Sequence, residues 1–260
     1  MKGAYIRFYY ANKLREKLPP AVRELVVSLY PNAYFYGVLG SALFEKTRPI
    51  KNLLDNKNPF SFFEETARYV YQTGSKAQQA YLMGYIAGYT LNSRLSAFIH
   101  YFYENGVAFR EGEEKAFLSL EEISVGIDGE VKKLLSEEEI KKLQEMKLSP
   151  VAVKEIEDLY KNPISQNLGT SVGAIALKLA LIKHKFESDE TPSELDFLNN
   201  RHQSWDTVRN GRWKSEFSFE ELIDVLVAIG EKMTEGLCNR LFYGTPLEEN
   251  SFRITQTGLI

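Results

Sequence analysis

The feature that most constrains the fold is a long apolar stretch at residues 79–103, QAYLMGYIAGYTLNSRLSAFIHYFY. Residues 80–91 are apolar nearly all round, which is typical of a helix that is buried on every side. Gly84 and Gly88 stand one helical turn apart and have no side chain, so another element can approach the backbone closely there. The stretch therefore predicts a central core helix, and Asn105-Gly106 predicts its end.

A membrane span with a small-residue face is the alternative for this stretch. Its continuous apolar run stops at Asn92-Ser93-Arg94. A span needs roughly 20 apolar residues, and this run is much shorter. We therefore expect no transmembrane segment and a helix buried inside a globular protein.

Composition limits the compartment and the partners. The chain has a single cysteine, Cys238, so it forms no intrachain disulfide and nothing indicates an oxidising compartment. Cys238 lies between Leu237 and Leu241, which predicts a small buried hydrophobic residue rather than a nucleophile.

Residues 1–18 mix charges with aromatics, unlike a secretory signal. A net charge of -3 gives no reason to expect nucleic acid. We expect a soluble, cytoplasmic protein.

Helical spacing and helix-start signals recur along the rest of the chain, and no stretch alternates as a strand does. Capping boxes are predicted at Ser136 with Glu139 and at Ser218 with Glu221, and a helix start at Ser149-Pro150. Proline and asparagine predict a loop at residues 47–59. Helices are predicted at residues 5–18, 21–30, 60–72, 168–184 and 219–242, and a further segment begins at Pro31.

The predicted fold class is all-α, with one helical domain at residues 1–243. Residues 111–161 are rich in Glu and Lys and are interpreted as a charged helical insertion on the side of the core. Residues 244–260 are interpreted as a loosely attached C-terminal tail.

Common catalytic and metal-binding motifs are absent from the sequence. It has no glycine-rich phosphate loop, no CxxC pair, no HExxH and no GxSxG. The three histidines are His100, His184 and His202, and none has a partner at the spacing of a recognised metal motif. Composition therefore argues strongly against a histidine-rich metal site.

Four segments, taken in order, resemble the zinc-dependent phospholipase C family, in particular its small bacterial members. They are PNAYFYGVLGSALF, GYIAGYTLNSRLSAFIHYFY, the helix near residues 169–183, and FLNNRHQSWD before FSFEELIDVL. The resemblance covers most of the chain and implies the all-helical phospholipase C/P1 nuclease fold. The framework residues that carry it are Gly37, Gly40, Gly84, Leu91, Ser93, Trp205 and Phe219.

The family's metal ligands are replaced in this chain. Ser41 and Ala42 stand where the family has Pro-Asp, and Gly88, Asn92 and Ser96 stand where it has His, Asp and His. By a weaker match, Arg7 replaces a histidine of the first helix, and Thr170 and Ala174 replace a His and Glu pair. Zinc needs imidazole, thiolate or carboxylate ligands. The resemblance therefore implies a site without zinc, and we expect no cofactor.

Four further side chains are considered for the site or for structural roles. His100 lies one turn beyond Ser96 and could face the replaced site, or it could be a satisfied core or boundary residue. His202 is expected to be exposed or to hold the asparagine-rich turn, and His184 to end a helix, where the helix dipole favours it. Arg7 could supply positive charge for a phosphate without metal, or it could pair with a surface carboxylate or fill the space left by the metals.

Arg94 and Lys178 are further candidates for the same positive charge. Three functional hypotheses follow. The first is a catalytically degenerate, metal-free relative that binds a protein partner or a phosphate or lipid headgroup. The second is a phosphoesterase with a remodelled site that uses Asn92, His100 and Arg7. The third is an unrelated helical interaction module. An open basic pocket at Gly88 and Asn92 would favour ligand binding, and a filled aromatic core would favour a scaffold.

Overall fold

The structure is a computed structural model that describes residues 3–44, 48–55, 58–168, 194–206 and 214–252. This part of the chain is predominantly helical, so the all-α prediction is confirmed. The predicted helix at 168–184, with His184 and Lys178, lies outside the described residues. The helices are α1 Ala4–Lys17, α2 Pro20–Arg23, α3 Pro31–Leu39, α4 Arg48–Asp55, α5 Pro59–Thr73, α6 Lys76–Asn105, α7 Leu120–Lys133, α8 Glu137–Gln144, α9 Pro150–Leu159, α10 Ser165–Leu168 and α11 Phe219–Tyr243.

Short irregular elements connect these helices. π-helical turns run over Glu24–Leu29 and Tyr160–Ile164, and a 3-10 turn covers Gly40–Phe44. Within the described ranges the β-structure is limited to two antiparallel ribbons and one isolated bridge. The ribbons pair β1 Val107–Ala108 with β2 Lys115–Ala116, and β3 Trp205–Asp206 with β4 Lys214–Ser215.

The central helix α6 packs directly on α3 through glycines of both helices. A Cβ built on Gly84 would lie 1.8 Å from the Tyr34 carbonyl oxygen, and one on Gly37 would lie 2.0 Å from the Tyr81 carbonyl oxygen. Ordinary contacts between carbon atoms are about 3.5–4 Å, so no side chain fits at these positions. The close approach predicted at Gly84 is therefore confirmed, and α3 is the helix that makes it.

Serine caps start the helices where the sequence predicted them. Ser136 with Glu139 and Ser218 with Glu221 form complete capping boxes, and Ser149 accepts from the Ala152 amide. A third capping box, not predicted, opens α7 at Ser119. Gly106 ends α6 with φ 75° and ψ 155°, so its φ is positive as expected but its ψ is extended rather than left-handed helical.

The predicted loop at residues 47–59 is wrong, because α4 forms at Arg48–Asp55. Pro49 is the second residue of this helix, where the missing N–H of proline has no helical partner to lose. Leu54 is buried and packs in the core. The next helix, α5, is capped by Asn58, whose side chain accepts from the Ser61 amide.

The segment at residues 111–161 contributes side chains to the main core. Ile123, Ile127 and Val131 of α7 are fully buried in the same hydrophobic cluster as α1 and α6. Its charged residues include Glu137 and Glu138, which are exposed at the start of α8. The assignment of this segment as an insertion stays a prediction.

The chain after Gly244 is packed rather than loosely attached as far as Phe252. Leu247 and Phe252 are buried, and the Leu247 amide donates to Glu64 at 3.0 Å. The Phe252 ring stacks on Phe63 at a centroid distance of 5.6 Å. The prediction of a loose tail is therefore corrected for residues 245–252, because their apolar side chains fill the space beside α5. Residues 253–260 lie outside the described part.

The asparagine-rich turn before α11 holds the tryptophan of the fourth matched segment. Trp205 is buried, donates its indole N–H to the Phe217 carbonyl oxygen at 3.0 Å, and meets Phe98 of α6 edge-on. Asn199 has a positive φ of 52° and donates to the Gln203 and Phe217 carbonyl oxygens. His202 is exposed and its Nδ1 lies 2.9 Å from the Glu216 carbonyl oxygen, which confirms both of its predicted roles.

Candidate functional site

A cleft of about 720 Å³ opens beside the middle of α6. Its walls come from the start of α1, the 3-10 turn, α4, the start of α5, and the start of α7. Volumes of this order are typical of small-molecule sites.

Six of the eight predicted site positions line this single cleft. They come from three separate elements, α1, the 3-10 turn and α6. The α6 positions recur every fourth residue, so they lie along one face of the helix. The other two predicted positions, Thr170 and Ala174, lie outside the described residues. The six lining positions are Arg7, Ala42, Gly88, Asn92, Ser96 and His100.

Gly88 and Gly40 shape the floor of the cleft by close packing and backbone conformation. A Cβ on Gly88 would lie 2.2 Å from the Val38 carbonyl oxygen. Gly40 has φ 52° and ψ -130° where α3 ends, a conformation that other residues rarely adopt. The chain therefore turns sharply at Gly40 and brings Ser41 and Ala42 to the cleft.

Arg7 is a half-buried cation in the lining of the cleft. Its Nη2 donates to the Asn92 Oδ1 at 3.0 Å. Because a guanidinium has no acceptor, this bond fixes the Asn92 amide with its oxygen toward Arg7 and leaves its NH2 group as a donor on the other side. The two side chains therefore form one positively charged, donor-rich unit that joins α1 to α6.

Asp128 of α7 holds the N-terminus of α1 that carries Arg7. The cap position of α1 is Gly3, which has no side chain to accept from the first amides. The Asp128 Oδ1 accepts from the Ile6 amide at 2.9 Å instead. Asp128 is also close enough to Arg7 to feel its charge. Arg7 therefore has a carboxylate near it, but this carboxylate is buried and not at the surface as the alternative interpretation proposed.

Burial raises the pKa of Asp128 to about 6, although the amides of Ile6 and Tyr5 and the positive charges of Arg7 and the N-terminus act in the opposite direction. Burial dominates because the ionised form loses its hydration. A group whose pKa is higher in the folded than in the unfolded state contributes stability below its unfolded pKa, and this contribution is lost as pH rises through the folded pKa.

We expect the free energy of unfolding of the wild type, measured relative to Asp128→Asn, to fall by about 2 kcal/mol between pH 4 and pH 7.5. The difference isolates Asp128, since all other carboxyl groups titrate in both proteins. Urea denaturation at several pH values measures it. A difference that stays constant or increases with pH would mean that the helix amides and Arg7 outweigh burial.

His100 stands at the end of the α6 face. Its Nδ1 lies 2.9 Å from the Ser96 carbonyl oxygen. A carbonyl only accepts, so the neutral ring carries its proton on Nδ1 and its Nε2 is an acceptor. His100 is half-buried and lines the cleft, which agrees with the interpretation that it faces the replaced site.

Part of the wall of the cleft is apolar and aromatic. Phe62 and Phe63 of α5 pack on Tyr85 of α6 at centroid distances of 5.3 and 5.9 Å. Tyr89 meets Phe63 at 5.8 Å. This wall can therefore take an apolar part of a ligand while the Arg7 side takes a charged part.

Lys51 and Asp55 add charges that the sequence analysis missed. Both lie on α4, line the cleft and form an ion pair at 2.5 Å. The local signal was their spacing of four residues, which suits an ion pair on a helix, but the segment was predicted as a loop. Among the described lining residues, with Arg7 included, the fixed charges are two positive and one negative.

The remaining candidates lie elsewhere. Arg94 is buried and outside the lining of the cleft, and burial lowers its pKa. Cys238 is buried as predicted, and burial raises the pKa of its thiol to about 12. Neither residue contributes to the chemistry of the cleft.

The residues present at the six lining positions do not fit zinc. Alanine and glycine offer no ligand atom, arginine is a cation, and asparagine and serine are poor zinc ligands, so His100 is the single suitable ligand among the six. Across the described ranges, no three His, Cys, Asp or Glu side chains are grouped so that they could hold a metal ion. Within the same ranges, every helix is too short or too polar to cross a membrane.

Comparison of the chain with protein-family models, with curated proteins and with solved structures finds no match. A functional assignment therefore depends on the residues and the geometry of the cleft.

Proposed function

We propose that this protein is a metal-free relative of the zinc-dependent phospholipase C family that binds a phosphate group in the cleft without hydrolysing it. One observation carries the proposal. Positions that were matched to the family's metal ligands, in segments far apart in the sequence, line the same cleft. Separate segments would not be expected to meet at one cavity if the resemblance were accidental.

Arg7 is the proposed anchor for the phosphate. It is held by Asn92 across the cleft, and its helix is held by Asp128. A fixed guanidinium beside an amide NH2 group offers several N–H donors to a phosphate oxygen. Part of the positive charge that a metal cluster supplies in the resembled family is therefore supplied here by a side chain.

The open cleft supports ligand binding over a purely structural role. A scaffold would be expected to fill the space around Gly88 and Asn92 with side chains, whereas among the described residues this space is a cavity lined by both polar and aromatic side chains. This combination suits an ester of phosphate that carries an apolar group, such as a lipid headgroup with part of its chain. The cytoplasmic location stays a prediction from the single cysteine.

A second candidate function is hydrolysis of a phosphate ester, and the geometry of His100 favours it. The acceptor Nε2 of the neutral ring could take a proton from a water molecule in the cleft. Arg7 would then stabilise the charge that develops on the phosphate. This function needs no metal, and it requires that His100 Nε2 and Arg7 reach the same phosphate.

The test is calorimetric titration of the protein with inorganic phosphate in buffer without metal. We expect Arg7→Ala to weaken phosphate binding at least about tenfold, because a hydrogen bond to a charged group is lost. Arg68→Ala is the matched control, since Arg68 is exposed on α5 and does not line the cleft. Equal phosphate binding by wild type and Arg7→Ala would contradict the proposal.

Two additional measurements separate the alternatives. A melting temperature that rises with zinc concentration as mass action requires would mean that the residue-by-residue match of the metal-ligand positions is wrong, and it would favour the second function. Release of p-nitrophenol from bis-p-nitrophenyl phosphate, lost in His100→Gln, would establish the second function in place of the first.

A further inference from the structure

Two serines in the lining of the cleft already use their hydroxyl hydrogens, which determines the hydrogen bonds that they can form with a ligand. The Ser93 hydroxyl donates to the Thr90 carbonyl oxygen at 2.6 Å, and the Ser124 hydroxyl donates to the Leu120 carbonyl oxygen at 2.7 Å. Both serines line the cleft. A hydroxyl has one hydrogen, so each of these oxygens can only accept from a ligand.

His100 extends this set of acceptors. With the proton of its neutral ring on Nδ1, Nε2 can only accept. The acceptors therefore come from two helices, with Ser93 and His100 on α6 and Ser124 on α7. The donors Arg7 and Asn92 lie on α1 and on α6, where Asn92 directly precedes Ser93. The lining of the cleft thus offers both hydrogen-bond donors and hydrogen-bond acceptors.

We infer that the ligand is a phosphate ester of a polyol, with the phosphate at Arg7 and Asn92 and the hydroxyl groups at Ser93, Ser124 and His100. This inference rests on the proposed phosphate binding and names the class of molecule that carries the phosphate. A polyol hydroxyl can donate to each acceptor. A quaternary ammonium group, as in phosphocholine, has no hydrogen to donate and would leave the acceptors without a partner.

A site that hydrogen-bonds a hydroxyl discriminates against an analogue that lacks it. The discrimination here is moderate, because Ser93, Ser124 and His100 are only half-buried and water can reach them. We expect sn-glycerol 3-phosphate and myo-inositol 1-phosphate to bind about tenfold more tightly than phosphocholine or inorganic phosphate.

The experiment is calorimetric titration of the full chain with these four probes. In the double variant Ser93→Ala/Ser124→Ala we expect the preference for the polyol phosphates to disappear while the Kd for inorganic phosphate stays within about twofold. Alanine is the best helix former, so both substitutions keep their helices. Ser61→Ala is the matched control, because Ser61 is exposed on α5 outside the cleft.

The outcomes separate the inference from the proposed function. Binding of inorganic phosphate with no preference for a polyol ester would overturn the inference and keep the proposed function. Absence of binding by every probe would overturn both. A preference for the polyol phosphates that survives in the double variant would also overturn the inference. If the variant fails to fold, the inference is tested by whether the unmodified chain prefers the polyol phosphates to phosphocholine and inorganic phosphate.

A fifth probe distinguishes a lipid headgroup from a free polyol phosphate as the ligand. Monomeric dihexanoyl phosphatidylinositol carries the inositol phosphate of the free ester together with short acyl chains. Tighter binding of this lipid than of myo-inositol 1-phosphate would identify a lipid headgroup, with the chains against Phe62 and Phe63. Weaker binding would identify a free polyol phosphate, and either result supports the inferred class.

Discussion

Gly84→Ala is expected to lower the free energy of unfolding by about 3 kcal/mol or more, and the melting temperature by about 10 °C. The added methyl group would lie 1.8 Å from the Tyr34 carbonyl oxygen, and a backbone atom cannot rotate away as a side chain can. Helices α3 and α6 must therefore move apart, and they lose packing along their whole contact. The loss exceeds the gain of about 1 kcal/mol that alanine brings to a helix.

Gly236→Ala is the matched control for this prediction. Gly236 also lies inside a long helix, α11, but a Cβ there meets no described atom within 4 Å. We expect this substitution to raise the free energy of unfolding by about 0.5–1 kcal/mol. Urea denaturation and thermal melting of both variants check the pair. A Gly84→Ala protein as stable as the wild type would show that the helices do not meet through their backbones.

Glu64→Ala is expected to lower the free energy of unfolding by about 2–3 kcal/mol. Glu64 Oε1 pairs with Arg240 Nη2 at 2.9 Å, and its Oε2 accepts from the Leu247 amide. The Arg240 side chain is 9% exposed and the Glu64 side chain is 23% exposed, so removal of the carboxylate leaves a nearly buried positive charge. The expected loss is smaller than for a fully buried pair, since water reaches part of Glu64.

Hydrogen exchange gives the second measurement for Glu64→Ala. The Leu247 amide loses its acceptor, so we expect its exchange to accelerate more than the exchange of amides in the middle of α6. Glu65→Ala is the matched control, because Glu65 is the exposed neighbour on the same helix and its removal should change stability by less than about 0.5 kcal/mol. Equal effects of the two substitutions would contradict the role assigned to the pair.

Local patterns predicted the elements of the fold whose signals lie within a few residues. The apolar stretch predicted α6, and the two serines with glutamate three residues later predicted the starts of α8 and α11. Helix α4 was missed because Pro49 and several asparagines were interpreted as loop signals, whereas proline is tolerated in the first turn of a helix. Phe252 was missed because its contacts are with α5, far away in the sequence.

The site also combines residues that the sequence could identify with residues that only the structure reveals. The resemblance named Gly88, Asn92 and Ser96 together with Arg7 and Ala42, and helical spacing from Ser96 added His100. The cleft that they line became visible only in the structure. Lys51 and Asp55 were lost with the missed helix. Asp128 had no local signal, because a buried carboxylate and an exposed one look alike in a charged segment.

The hydrogen bond between Asp128 and Ile6 joins residues 122 positions apart. During synthesis, the ribosome makes α1 long before it makes α7. Until Asp128 has emerged, the first amides of α1 have only water as a partner, and closing such a long loop is slow. The end of α1 that carries Arg7 is therefore completed late, and a nascent chain shorter than 128 residues lacks the contact that holds this end of the helix in the cleft.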